Sequence, residues 1–166
     1  MKKITPLSPS EIIKFYHLQP HPEGGYFREH YRSTQNTLTK LLDNTYAKRS
    51  LLTCCYYLLL KDQHSQFHRL PSAEIWNLHL GGPLELSQID NEETVSKVTL
   101  GLDLSKEHVV SHIIPRDTWF QATNTAGAEY TFVSCVVSPG FEFSDWELAT
   151  GKQLERLNSK LLGFDE

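Results

Sequence analysis

Cysteine is scarce, methionine scarcer, and neither one sign of charge nor any apolar run dominates the chain. Only Cys54, Cys55 and Cys135 stand among 166 residues. They form neither an even framework nor a C-x-x-C pair, which excludes a disulfide-stapled scaffold and a zinc knuckle; a reducing, cytoplasmic location is expected. Lysine and arginine total 16 against 20 aspartates and glutamates, a formal charge of −4. Without a basic surplus there is no bulk charge to hold a phosphate backbone, so nucleic acid is not expected as a partner. No apolar stretch approaches the roughly 18 residues of a membrane span. The start, Met1-Lys2-Lys3 and then Thr5-Pro6, lacks the apolar run of about 7–15 residues that marks a secretory signal. Neither membrane insertion nor export is expected.

What the chain does have is core material: 39% hydrophobic and 11% aromatic residues, enough for one domain over residues 1–166 without staples. Ser8-Pro9-Ser10-Glu11 reads as a capping box with proline at the first helical position, and opens a helix of about three turns that must stop before Pro20. Pro20-His21-Pro22-Glu23-Gly24-Gly25 is a rigid turn leading into the alternating strand Tyr26-Phe27-Arg28-Glu29-His30-Tyr31-Arg32. The polar stretch 33–48 is expected to be a mobile loop. Short strands follow at 51–60, 65–70, 73–80, 84–90, 94–100, 108–114, 120–123 and 129–137, separated by turn residues such as Gly81-Gly82-Pro83. The strand at 51–60 is apolar on both faces and belongs inside a wall. Leu154, Leu157, Leu161 and Leu162 lie at helical spacing in 151–162 and predict an outer helix. The fold class expected is all-β, a jelly roll or barrel with a helix at each end.

Chemistry concentrates at Gln66-Phe67-His68-Arg69-Leu70 and Glu74-Ile75-Trp76. Read as a hairpin, the two segments set His68 opposite Glu74, and alternation puts Gln66, His68, Glu74 and Trp76 on the inner face while His79 turns outward. An imidazole and a carboxylate held together in an apolar barrel can serve as a base and acid, or as two metal ligands. The plain alternative is a buried pair that only fixes the hairpin, with Trp76, Trp119, Phe120 and Trp146 as core and Arg28 and Arg69 as surface. Cys54 and Cys55 alternate across their strand, so at most one faces a cavity, and burial makes such thiols inert by default.

The spacing of His68, Glu74 and Gly81, followed by Pro115-Arg116-Asp117-Thr118-Trp119-Phe120 and Asn124, resembles the two motifs of the cupin superfamily. Pro20 through Glu29, Phe67-His68-Arg69-Leu70, Glu74-Ile75-Trp76, Gly82-Pro83-Leu84-Glu85-Leu86, Leu100 through Leu104 and Pro139-Gly140-Phe141-Glu142-Phe143 are together similar to one small cupin family, cupin-5-like, without a settled reaction. The resemblance implies a double-stranded β-helix and a homodimer. Carried over residue by residue, the metal-binding cupin pattern places Gln66, His68, Glu74 and Phe120 where it wants His, His, Glu and His. Two of four ligands are absent, so no metal is expected to be required; a divalent ion, if used, would fall to His68 and Glu74 with help from Gln66 or Gln121.

Gly24-Gly25-Tyr26-Phe27-Arg28-Glu29 is also similar to the N-terminal strand of dTDP-sugar 3,5-epimerases, metal-free cupins. That resemblance implies His68 as a catalytic base, Asp145 as its support, and Tyr56, Tyr57 or Tyr130 as an acid. The expected function is binding of a small anionic or sugar-like ligand by Gln66, Trp76, Trp119, Phe120 and Gln121, with Arg28 and Arg69 as anion clamps and with epimerase or isomerase chemistry at His68 and Glu74. A metal-dependent enzyme and a non-catalytic binder are the alternatives.

Overall fold

The computed structural model describes residues 7–124 and 127–163. Residues 1–6, on which the expectation of no secretory signal rests, lie outside them. Ser8 caps α1 (Pro9–Tyr16) as the sequence requires: its hydroxyl accepts the Glu11 amide at 3.3 Å while the Glu11 carboxylate accepts the Ser8 amide at 2.8 Å. The helix ends earlier than Pro20 demands, because His17 takes a left-handed conformation (φ 52°), freeing β1 (Gln19–Pro20) to pair with β2 (Tyr26–Arg32).

The stretch expected to be a mobile loop is instead the hairpin of β3 (Asn36–Lys40) and β4 (Tyr46–Ser50). Its strands carry few apolar residues, and Leu38 and Tyr46 face solvent, so no hydrophobic alternation betrays it. The turn chemistry does the work: Asp43 Oδ1 accepts from the Thr45 amide at 2.9 Å and Asn44 supplies the left-handed residue (φ 68°). The remaining strands are β5 (Thr53–Leu60), β6 (His64–Arg69), β7 (Ala73–Gly81), β8 (Leu84–Ile89), β9 (Val95–Leu100), β10 (Ser111–Ile114), β11 (Trp119–Thr123), β12 (Tyr130–Ser138) and β13 (Glu147–Leu148), before α2 (Gly151–Leu161).

Two sheets close the barrel as a double-stranded β-helix: a six-stranded one in the order β1-β2-β5-β12-β7-β10 and a five-stranded one in the order β13-β6-β11-β8-β9. The segments around His68 and Glu74 are therefore not a hairpin. β6 bonds to β11 and β13, and β7 to β12 and β10. Leu70-Pro71-Ser72 offers no residue suited to the positive φ of a two-residue hairpin, and the chain turns a corner between sheets, pinned where the Asp117 amide donates to the Leu70 carbonyl at 2.8 Å.

Between the sheets lie Tyr57, Leu59, Trp76, Leu86, Phe120 and Val133. The other face of β5 presents Leu58 to Ile12 of α1, which is why that strand reads apolar on both faces. α2 covers the outer side of the five-stranded sheet, setting fully buried Leu157 near Phe67, Ile89 and Trp119. Leu157→Ala is expected to lower stability by about 2–5 kcal/mol, by lost burial plus the cavity left behind. A reduced urea midpoint at unchanged slope would record it.

Candidate functional site

A cavity opens between the sheets, about 550 Å³ including the solvent at its mouth. The turn before β2 supplies His21 and Glu23, β6 supplies His68, and β7 supplies Glu74 and Trp76, while Phe141 and Trp146 add aromatic wall. That turn is built on glycine. Gly24 (φ 114°) and Gly25 (φ 69°) both take left-handed conformations, and a β-carbon at Gly24 would collide with the His64 carbonyl. The Gln66 amide then donates to the Glu23 carbonyl at 3.1 Å, fastening the turn to β6 with the Glu23 carboxylate inward.

His68 is only 3% exposed. Its Nδ1 lies 2.8 Å from the Gln66 carbonyl oxygen, an atom that can only accept, so Nδ1 carries a proton, and in the neutral ring the lone pair is on Nε2. The same Nδ1 lies 3.3 Å from Glu23 Oε2, and that oxygen also accepts the Trp146 indole N–H at 3.2 Å. A carboxylate thus backs the imidazole on the side away from its basic nitrogen. The residue supporting His68 is Glu23, and not Asp145, which is bound by Arg49 at 2.6 and 2.5 Å. Glu23 was overlooked in the sequence because it sits in a turn; an acid locked between a proline and two glycines ahead of an inward strand was the available signal.

A β-bulge sets the direction of His68. Phe120 pairs with His68 and Ala122 with Ser65, so three steps of β6 oppose two of β11. Ser65 and His68 therefore both face inward, Phe67 points to the α2 side, and Gln66 is exposed. The expectation that Gln66 and His68 share the inner face fails at this bulge.

Glu74 is 7% exposed, and its Oε2 has no hydrogen-bond partner, nor has the neighbouring Trp76 Nε1. Burial first, and the charge of Glu23 second, raise its pKa from 4.5 to about 8, against the weaker pull of the Cys135 thiol and the Trp76 indole. At neutral pH Glu74 is mostly a carboxylic acid able to donate a hydrogen bond. His21 goes the opposite way: burial lowers its pKa, and its Nδ1 accepts the Glu23 amide at 3.3 Å, leaving a neutral ring packed between Phe27 and Phe143.

Of the residues singled out from sequence, His68, Glu74 and Trp76 line the cavity, and Tyr57 does too, although its hydroxyl is committed to the Gly24 carbonyl at 2.6 Å. Phe120 is buried behind His68, ring centroids 4.1 Å apart. Gln121 alternates away from Phe120 and does not line the cavity. Trp119 packs under α2. Neither arginine reaches the cavity: exposed Arg28 donates to the Tyr16 carbonyl at 3.2 Å, and Arg69 pairs with Glu147 at 2.8 Å and lies over the Trp119 ring. Strand alternation on β2 carries Phe27 and Glu29 inward and Arg28 outward, so the anion clamp has no place here. Tyr56 and Tyr130 belong to the outer cluster under α1.

The ligand pattern of metal-binding cupins is incomplete here. Of the four cupin ligand positions, one holds buried Phe120 and one holds Gln66, turned outward by the bulge. Among the described residues no group of three or more His, Cys, Asp or Glu side chains is placed to hold an ion. The cavity wall carries Glu23, Glu29 and Glu74 but no lysine or arginine among the described residues.

Comparison with known proteins fits this architecture. The family model Cupin_5, described as Cupin superfamily (DUF985), matches residues 10–149. A hypothetical protein from Leishmania major is 31% identical, with a TM-score of 0.80 over 91% of this chain and 92% of its own. A protein from Shewanella oneidensis is 29% identical, with a TM-score of 0.79 over 96% of this chain and 98% of its own. An oxalate decarboxylase variant from Bacillus subtilis, 13% identical at a TM-score of 0.59, shares the fold over 92% of this chain and 36% of its own. A search of curated proteins returned no match.

Proposed function

The chain belongs to the Cupin_5 family of the cupin superfamily, and from the cavity of its barrel we propose a metal-independent isomerase or epimerase acting on a small, uncharged hydroxy-carbonyl compound such as a free sugar. The observation that carries this reading is the pairing of opposites in one cavity: a buried imidazole backed by a carboxylate, and a buried carboxyl group held protonated to about pH 8. A carboxylic acid kept neutral near pH 7 in the same cavity as an imidazole is what acid–base catalysis at neutral pH requires.

His68 Nε2 takes the proton from the carbon beside the substrate carbonyl, and Glu74 gives its proton to the carbonyl oxygen. The product of that step is an enol. Return of the proton from His68 to the former carbonyl carbon, as Glu74 takes up the proton of the neighbouring hydroxyl, gives the isomeric aldose or ketose; a solvent proton delivered to the other face of the first carbon, as Glu74 takes back its own proton and His68 releases its proton to solvent, gives an epimer. Glu23 stabilises the imidazolium formed on the way. Trp76 Nε1 and Glu74 Oε2, unpartnered in the protein, offer a donor and a donor–acceptor to substrate oxygens. The aromatic wall suits the apolar face of a sugar ring, and the lack of a lysine or arginine in it among the described residues disfavours a nucleotide diphosphate.

Incubation in deuterium oxide with a panel of free aldoses, ketoses and nucleotide sugars tests the proposal. Deuterium is expected at the carbon next to the carbonyl of a free sugar. No exchange anywhere in the panel, with thermal stabilisation by one member, would replace it with a binding role, and exchange confined to nucleotide sugars would overturn the substrate class.

A further inference from the structure

We propose that Cys55 and Cys135 form a dithiol in the cavity wall that peroxides close to a disulfide. This goes beyond the isomerase reading and does not depend on it. Cys55 on β5 and Cys135 on β12 are direct partners across the antiparallel ladder. Directly opposed residues in such a ladder have α-carbons about 4.5–5.5 Å apart and side chains on the same face, inside the range of about 4.4–6.8 Å that a disulfide spans. Both residues line the cavity and both are free thiols. The backbone spacing therefore suits a disulfide between them.

Access and order follow from burial. Cys135 is buried whereas Cys55 is half-buried, and the cavity opens to solvent, so a small peroxide meets Cys55 first. The Cys55 sulfur attacks the peroxide oxygen; the O–O bond breaks, one water or alcohol leaves, and a sulfenic acid remains. The Cys135 sulfur then attacks the sulfenic sulfur, forming the S–S bond and releasing water. Two thiols lose two electrons and two protons in total, and the peroxide is the oxidant reduced. Cys54 cannot compete, because it occupies the other face of β5, opposite Val136.

The bond has a consequence inside the cavity. The Cys135 thiol sits beside Glu74 and favours its ionised form. Oxidation removes that S–H, so Glu74 holds its proton to higher pH in the disulfide form.

Reduced protein treated with hydrogen peroxide, then digested without reductant for mass spectrometry, tests the proposal. A peptide pair joining Cys55 to Cys135 is expected, cleaved by reductant, preserved in Cys54→Ser and lost in Cys55→Ser. In Cys135→Ser, a sulfenic acid at Cys55 should be trapped by dimedone. The wild-type cross-link requires no variant, and half-buried Cys55→Ser carries the control if Cys135→Ser fails to fold. Free thiols at both positions after the peroxide has oxidised a cysteine reporter peptide would overturn the proposal. So would sulfinic acid at Cys55 without a cross-link, or a bridge between molecules through Cys54.

Discussion

Replacing His68 with Gln is expected to reduce solvent-deuterium exchange into a responsive sugar by about 10²–10⁴-fold, the share that a positioned general base contributes. The amide keeps most of the imidazole's volume against Phe120, whose ring centroid lies 4.1 Å away, so the loss should come with little change in melting temperature. Glu23→Gln separates the base from its support. In a histidine–carboxylate arrangement, loss of the carboxylate is severe chiefly where the imidazole then adopts the wrong tautomer. Here the Gln66 carbonyl, 2.8 Å from Nδ1, keeps the correct tautomer without Glu23. A smaller loss, about 10–100-fold, is therefore expected, and because the charge of Glu23 helps to raise the Glu74 pKa, exchange in the variant should decline with rising pH earlier than in the wild type. A Glu23→Gln loss as large as that of His68→Gln would mean that the Gln66 contact does not hold the ring. An unchanged exchange rate in His68→Gln would remove His68 from the mechanism.

The fold was legible because its determinants are local and repeated: the Ser8–Glu11 capping box, alternation along β2, and the leucines of α2. The hairpin at β3 and β4 escaped because its strands are polar, so that only the Asp43-Asn44-Thr45 turn marked it. His68 and Glu74 could be picked out by motif spacing, yet their relation could not. Strand alternation assumes a regular ladder, and a bulge in β6 and a corner at Leu70-Pro71-Ser72 both depend on contacts with distant strands, β11 and the Asp117 segment. The same dependence hid Glu23 and Cys135. Each joins the cavity by a pairing between segments far apart in sequence: the Glu23 turn with β6, and β12 with β5. The arginines were misplaced for a different reason. Their chemistry suggests anion binding wherever they occur, but Arg28 stands between two inward residues of β2 and Arg69 is taken by Glu147 at the edge of the sheet.

Glu74 makes the protein's stability depend on pH in a sense opposite to that of salt-bridged carboxylates. In the folded state its pKa is raised to about 8 from an ordinary 4.5, so between these values the folded state holds a proton that the unfolded state has released. Stability is fully present below about pH 4.5, falls as pH rises through the interval and levels off above about pH 8. At about 1.4 kcal/mol per pH unit the interval is worth roughly 5 kcal/mol as an upper bound. For a chain of this size that amounts to about 10–20 °C in melting temperature. His21 acts in the reverse direction, because its lowered pKa costs stability as pH falls below about 6.5. The difference between wild type and Glu74→Gln cancels His21 and isolates Glu74. The variant cannot ionise, and it is expected to gain on the wild type progressively from pH 5 to 8 in thermal melts, while losing the acid that the proposed reaction needs. Parallel melting curves for the two proteins across that range would show that Glu74 is already ionised or hydrated in the cavity, and the assignment of a neutral carboxylic acid at pH 7 would fall with them.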